Sequence, residues 1–176
     1  MGLTLSAAPS GFIPANGASG VTPSADDVAA ALGSVCGSLA RAIVADGEGA
    51  TKFVRVSVTG ARTPEEARRA ARSVAESPLV KCALFGEDAN WGRVAAALGK
   101  TDVGLDLDVL SIAMGGVKLF DQGQPVDGDA EARAHEGLTA HEISIDCDLA
   151  VGEASGEILT TDFSHGYVDI NAEYEP

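Results

Sequence analysis

Large apolar residues recur at three- and four-residue spacing from Val28 through Leu32, Val35 and Leu39 to Ile43, which predicts a helix with one apolar face. Thr22-Pro23-Ser24 offers caps for its start, and Asp26 and Asp27 suit the positive end of its dipole. Asp46-Gly47-Glu48-Gly49 ends it near Ala45. The period then changes to two. Phe53-Val54-Arg55-Val56-Ser57-Val58-Thr59, rich in β-branched residues, predicts a strand over Phe53–Gly60. Thr63-Pro64-Glu65-Glu66 opens a second helix that continues through Ala67, Ala70, Ala71 and Val74 to Ser77-Pro78. The apolar run Leu79–Phe85 predicts a short buried strand, and Trp91–Leu98 a third helix closed by Gly99. Further strands are expected at Val109–Met114, Val117–Leu119, Glu142–Leu149, Glu157–Asp162 and Tyr167–Asn171, with a charged, partly helical connection over Asp127–Ala140. This order predicts an α+β fold in which helices are layered on a mixed, largely antiparallel sheet. Residues 1–22, rich in Gly, Ala, Ser and Pro, are expected to form an irregular arm. Residues 23–176 are expected to form a single domain without internal repeats.

Composition agrees with a soluble globular chain: 176 residues, 45% hydrophobic and 22% charged. Charge is lopsided. Residues 1–100 hold ten basic and nine acidic side chains, whereas residues 101–176 hold two basic and seventeen acidic. The formal net charge of −14 disfavours nucleic acid and anionic membrane surfaces as partners. The acidic half reads either as a solvated face or as a field that draws in a cationic substrate. Cys36, Cys82 and Cys147 lie far apart with no CxxC pattern, so they are expected to be reduced, cytoplasmic and mostly buried. No apolar run is read as long enough to span a bilayer, and Met1–Ala18 lacks the basic start and apolar centre of an export signal.

Three segments could carry chemistry. Asp46-Gly47-Glu48-Gly49-Ala50-Thr51-Lys52 places two carboxylates, a hydroxyl and an ammonium on one tight loop. There Glu48, flanked by glycines, could meet a substrate ammonium, or the acids could simply solvate a turn. Gly86-Glu87-Asp88-Ala89-Asn90-Trp91-Gly92-Arg93 sets the only Trp among acids, an amide and a guanidinium at a helix start. Asn90, Trp91 and Arg93 are candidate walls of a site, and a structural corner with a capping residue explains the segment equally well. Thr160-Thr161-Asp162-Phe163-Ser164-His165-Gly166-Tyr167 mixes hydroxyls, a carboxylate and an imidazole, a combination common by chance. No GxSxG nucleophile elbow occurs, and His135 and His141, six residues apart, have no strong metal-binding precedent, so no metal is expected.

Taken in order, Asp46–Lys52, Ser77-Pro78-Leu79-Val80-Lys81, Gly86–Arg93 and the ending Tyr167-Val168-Asp169-Ile170-Asn171-Ala172-Glu173-Tyr174 resemble the bifunctional ornithine acetyltransferase / N-acetylglutamate synthase family of arginine biosynthesis. The resemblance covers roughly residues 16–176 and corresponds to the later part of that family's β chain. It implies the C-terminal portion of the family's fold and a ping-pong acetyl transfer from N2-acetylornithine to glutamate. Acetyl-CoA is a further donor in bifunctional members, and there is no resident cofactor. It also implies amino-acid substrates, Glu48 and Asn171 as substrate-binding residues, and an α chain that joins the β chain in a heterotetramer. The family's nucleophile is a threonine freed by self-cleavage. No segment here matches it: Thr4 has different neighbours and Thr51 belongs to the substrate loop. No catalytic residue is therefore assigned, and the chain alone is expected to be inactive. Ala89 replaces a usual proline, and Pro176 stands where a substrate-contacting hydroxyl residue closes the family's chain. The alternatives are a non-catalytic amino-acid-binding or assembly module, or a decaying fragment.

Overall fold

The computed structural model describes residues 23–173. The expected arm, residues 1–22, and the terminal Tyr174–Pro176 lie outside them. By contacts the chain divides into two compact units, Met1–Ser38 and Leu39–Pro176. What is described of the first is Pro23–Ser38, which carries most of α1 (Ala25–Ala45). Ser24 caps that helix: its hydroxyl accepts from the Asp27 N–H at 3.1 Å while the Asp27 carboxylate accepts from the Ser24 N–H at 3.0 Å. The helix bounds match the sequence pattern. Its apolar face is exposed, since no residue of α1 is buried. One expectation needs correction here: the helix is, by length and composition alone, long and apolar enough to cross a bilayer, whereas no apolar run of that length is expected from the sequence.

The second unit is built on one six-stranded sheet of order β4-β3-β2-β5-β1-β6, comprising β1 (Phe53–Ala61), β2 (Ser111–Met114), β3 (Val117–Asp121), β4 (Gln124–Pro125), β5 (Glu142–Asp148) and β6 (Ala154–Thr161). Only β1 and β5 run parallel; the other four pairings are antiparallel, as the pattern predicts. Val54, Val56 and Val58 of β1 and Ile143, Ile145 and Cys147 of β5 point to one buried face, while Arg55, Ser57, Ser144 and Asp146 point to the other. On the buried face lie α2 (Pro64–Ala75), α4 (Trp91–Leu98) and α5 (Ala130–Leu138). Small side chains let α2 sit close. Ala67, Ala70 and Ala71 are wholly buried, and a Cβ on Gly156 of β6 would lie 2.8 Å from the Arg68 nitrogen. Thr63 caps α2, accepting from the Glu66 N–H at 3.2 Å.

Two expected strands are helices. Leu79–Phe85 lies in α3 (Pro78–Phe85), with Val80, Ala83 and Leu84 buried at helical spacing and Pro78 in the first turn, where its missing N–H has no helical partner to lose. Tyr167–Asn171 lies in α6 (His165–Ala172), started by Ser164, whose hydroxyl accepts from the Tyr167 N–H at 3.1 Å. The charged connection over Asp127–Ala140 contains α5, and the two-residue β4 has no counterpart among the expected strands. Cys147 is buried, but Cys36 and Cys82 are exposed, so the cysteines are not mostly buried. Burial, reinforced by the nearby Asp146 charge, pushes the Cys147 thiol up to about 12.

Candidate functional site

The Asp46–Lys52 loop joins α1 to β1, and its shape is fixed from outside by the segment following β6. Asp162, 2% exposed, accepts from the Thr51 N–H at 2.8 Å, the Lys52 N–H at 2.9 Å and the Thr51 hydroxyl at 2.6 Å. The Ser164 hydroxyl donates to the Gly49 carbonyl while accepting from the Tyr167 N–H, so one buried oxygen joins the loop to the start of α6. Gly49 has φ +64°, and a Cβ there would come within 2.6 Å of the Gly166 carbonyl carbon and 2.8 Å of the Tyr167 Cα. Only glycine both adopts that conformation freely and admits the approach. The loop therefore lies directly on the N-terminal turn of α6. Glu48 is exposed on this pinned loop, and Asn171 is exposed one turn along α6, its amide donating to the Tyr167 carbonyl at 2.9 Å. A carboxylate on a held backbone, beside a helix bearing an amide, can grip an ammonium and orient the rest of an amino acid. Thr51, considered as a nucleophile at the sequence level, spends its hydroxyl proton on Asp162.

Lys52 extends the construction. Its ammonium is nearly buried and donates to the Glu87 carboxylate at 2.9 Å and to the Leu138 and Thr139 carbonyls at 2.8 and 3.1 Å. All three donors are thereby used, which is what a buried ammonium requires. The pair ties the loop to the Gly86–Arg93 segment. Glu87 itself sits at φ +54°, an uncommon conformation for a side-chain-bearing residue, held by Lys52 and by His135, whose Nδ1 lies 2.8 Å from the Glu87 carbonyl oxygen. The hydrogen bond from Lys52, with smaller help from the Lys52 and His135 charges, holds the Glu87 carboxyl below its ordinary value of 4.5. A lowered carboxyl contributes stability that is present above the ordinary value and disappears as pH falls through the lowered one. Urea midpoints of the native chain and of Glu87→Gln are therefore expected to differ at pH 7 and to converge as pH falls below 4.5. A gap that stays constant with pH would contradict the pairing.

The candidate wall residues each have a local partner. Asn90 caps α4, accepting from the Arg93 N–H at 3.3 Å, and donates to Asp88 at 3.2 Å. Trp91 stacks on Phe120 with ring centres 4.5 Å apart. Arg93 donates to the Leu79 carbonyl at 2.9 Å. An open cavity of about 660 Å³ is bounded by Gly86–Gly92, Glu131 and His135, so Asn90 and Trp91 face it. Lys81 donates to the Thr160 and Thr161 hydroxyls, both at 3.2 Å. Burial lowers its ammonium from the ordinary range, against the opposing pull of Asp162. The sequence reading missed Asp162, Ser164 and Lys52 as the framework of the loop. The one available signal was a carboxylate and a hydroxyl two residues apart just after a strand.

The model of the ArgJ family matches residues 4–176. The chain belongs to the ArgJ family. It is 44% identical over 163 residues to the arginine biosynthesis bifunctional protein ArgJ of Nitratidesulfovibrio vulgaris, covering 91% of this chain and 42% of that protein. It is 48% identical over 168 residues to the glutamate N-acetyltransferase of Methanopyrus kandleri, covering 91% of this chain and 43% of that one. The chain thus spans about two-fifths of the length of these ArgJ-family relatives. The crystal structure of the ArgJ protein from Bacillus halodurans superposes with a TM-score of 0.81 at 37% identity, covering 88% of this chain and 74% of the crystallised one. The α+β fold is accordingly that of an ArgJ-family chain.

Proposed function

We propose that this chain is the substrate-gripping part of an ArgJ-family acyltransferase that moves acetyl from N2-acetylornithine to glutamate in arginine biosynthesis, in the cytoplasm. The observation that carries this reading is the pinned loop that presents Glu48 beside α6 and Asn171. Glu48 pairs with the side-chain ammonium of the ornithine donor, and Asn171 hydrogen-bonds the polar end of the bound amino acid. In the transfer, the acetyl C–N bond of N2-acetylornithine breaks as an ester to a threonine oxygen forms, and the departing amine takes the proton. The glutamate amine then attacks the ester and the hydroxyl is restored. Acetyl-CoA is a second donor to the same threonine. That threonine, which opens the family's β chain, and the donors that stabilise the tetrahedral oxyanion, which lie on its α chain, both belong to parts of the family polypeptide this chain does not match, and an α-like partner joins it in a heterotetramer.

The chain by itself is then a binder without turnover. Calorimetry is expected to show millimolar or tighter binding of N2-acetylornithine that weakens at least tenfold in Glu48→Gln. The isolated chain should form no ornithine from N2-acetylornithine and glutamate. Turnover by the chain alone would refute the division of labour, and absence of binding by a folded chain would refute the substrate grip.

A further inference from the structure

The proposed reaction makes a demand that Glu48 does not meet alone. One threonine is loaded from N2-acetylornithine and discharged to glutamate, so the two amino acids occupy one site in turn with their α-nitrogens in the same place. Their side chains then reach toward the same end of that site, where one carries an ammonium and the other a carboxylate. Glu48 attracts the first and repels the second. In a chain of formal net charge −14, holding a glutamate side chain there takes a cation placed locally.

Arg41, Lys52 and Lys81 lie by the Asp46–Lys52 loop. The Arg41 guanidinium rests over the Phe53 ring, 4.3 Å from its centre, and is paired with Glu142. Lys52 has spent all three donors. Lys81 differs from both. Its half-buried ammonium donates to the Thr160 and Thr161 hydroxyls, which give their own protons to the Ala75 and Asp162 carbonyls at 3.1 and 3.2 Å. Neutral acceptors thus take two of its three N–H groups, and among the described residues no carboxylate pairs with it. Asp162 favours its charge, but both Asp162 oxygens are committed to Thr51 and Lys52. A cation withdrawn from water with one N–H to spare is suited to an anion.

Thr161 fixes where that ammonium stands. Its hydroxyl accepts from Lys81 while its methyl lies 3.2 Å from the point a Cβ on Gly47 would occupy, so one threonine side chain separates the ammonium from the residue preceding Glu48. The Lys81 backbone is held too, its carbonyl accepting from the Phe163 N–H at 3.2 Å. Lys81, the loop bearing Glu48 and the helix bearing Asn171 are therefore all fastened to the same five residues, Thr160–Ser164. We infer that Lys81 is the side chain that admits glutamate, its remaining N–H pairing with the acceptor's side-chain carboxylate at the end of the site where Glu48 holds the ornithine ammonium. The inference rests on the proposed function, since it takes the two amino acids to share one site, and it adds the residue that recognises the acceptor.

Calorimetry of the whole chain with L-glutamate, L-glutamine and N2-acetylornithine tests it. The native chain should bind glutamate at least tenfold more tightly than glutamine, whose side chain has the same shape without the charge. Lys81→Met should weaken glutamate at least tenfold, to the level of glutamine, and bind N2-acetylornithine no more weakly than the native chain does. Lys81→Arg keeps the charge and should keep the preference for glutamate. Glu48→Gln should do the reverse of Lys81→Met, weakening N2-acetylornithine and sparing glutamate. Lys118→Met removes a lysine charge paired with Asp121 on β3 and should change none of the three affinities. Because both threonine hydroxyls donate elsewhere, Lys81→Met strands no donor, and circular dichroism verifies the fold of each variant. A native chain without preference for glutamate over glutamine, or a Lys81→Met chain that retains the preference, would overturn the inference. So would equal weakening of all three ligands by Lys81→Met, which would mean that the lysine serves the fold. A chain that binds N2-acetylornithine but not glutamate overturns this inference and leaves the substrate grip standing, whereas a folded chain that binds none of the three refutes that grip and the inference with it.

Discussion

Asp162→Ala is expected to lower the unfolding free energy by about 3–5 kcal/mol, the range for removing one member of a buried charged network. The carboxylate accepts from two backbone N–H groups and one hydroxyl, and the Lys52 amide among them is buried. Truncation leaves these donors without acceptors, and each abandoned buried donor costs about 1–3 kcal/mol. It also removes the carboxylate whose charge favours the half-buried Lys81 ammonium. Asp162→Asn separates charge from geometry. Its amide oxygen can retain both backbone bonds, and its amino group can donate to the Thr51 hydroxyl, so a loss of about 1 kcal/mol is expected. Urea unfolding of the three chains gives these differences, and hydrogen exchange should show protection of the Thr51 and Lys52 amides falling in the Ala variant before global unfolding. An Ala variant within about 1 kcal/mol of the native chain would mean that the loop is held by something other than Asp162.

That prediction concerns a residue whose role the sequence concealed, and the reason is physical. Patterns of local origin were readable. The alternation of Val54, Val56 and Val58 announces a half-buried strand, and Thr63-Pro64-Glu65-Glu66 announces a helix start; both are where the pattern put them. Leu79–Phe85 misled because a short apolar run has no decisive period: Val80, Ala83 and Leu84 suit a buried strand until the start at Pro78 is given weight. Tyr167–Asn171 misled because Tyr, Val and Ile favour strands, whereas the Ser164 cap and the docking of Gly49 on the following turn favour a helix. The α1 stripe was legible as a helix face, but its exposure was not, since periodicity shows which side is apolar and not whether anything covers it. The candidate site divides along the same line. Glu48 and Asn171 were reachable through the family resemblance. The bonds of Asp162 to Thr51 and Lys52 join residues 111 and 110 positions apart, a separation at which no local pattern operates.

Gly49→Ala is the second substitution with a large expected effect, because it asks for two incompatible things at one atom. The backbone is left-handed at φ +64°, which costs a residue with a Cβ about 1–2 kcal/mol even in open space. The added carbon would also fall within 2.6–2.8 Å of the Gly166 and Tyr167 backbone, where no flexible side chain can turn aside. Relief requires either the loop or the N-terminal turn of α6 to move, and the Ser164 bridge between the Gly49 carbonyl and the Tyr167 amide opposes both. The sum is expected to exceed about 3 kcal/mol. A chain that stays folded should do so with α6 displaced, seen as amide shifts at Tyr167 and Asn171. Gly47→Ala is the matched control. Its backbone is not left-handed, and its nearest contacts are the Thr161 methyl and the Val44 carbonyl oxygen at 3.2 Å, so a loss of no more than about 1 kcal/mol is expected. If the structure poses Glu48 and Asn171 as one grip, the Ala variant at 49 should also lose binding of N2-acetylornithine at temperatures where it is still folded, while the variant at 47 keeps it. Equal binding by both would mean that the packing of the loop on α6 serves the fold alone.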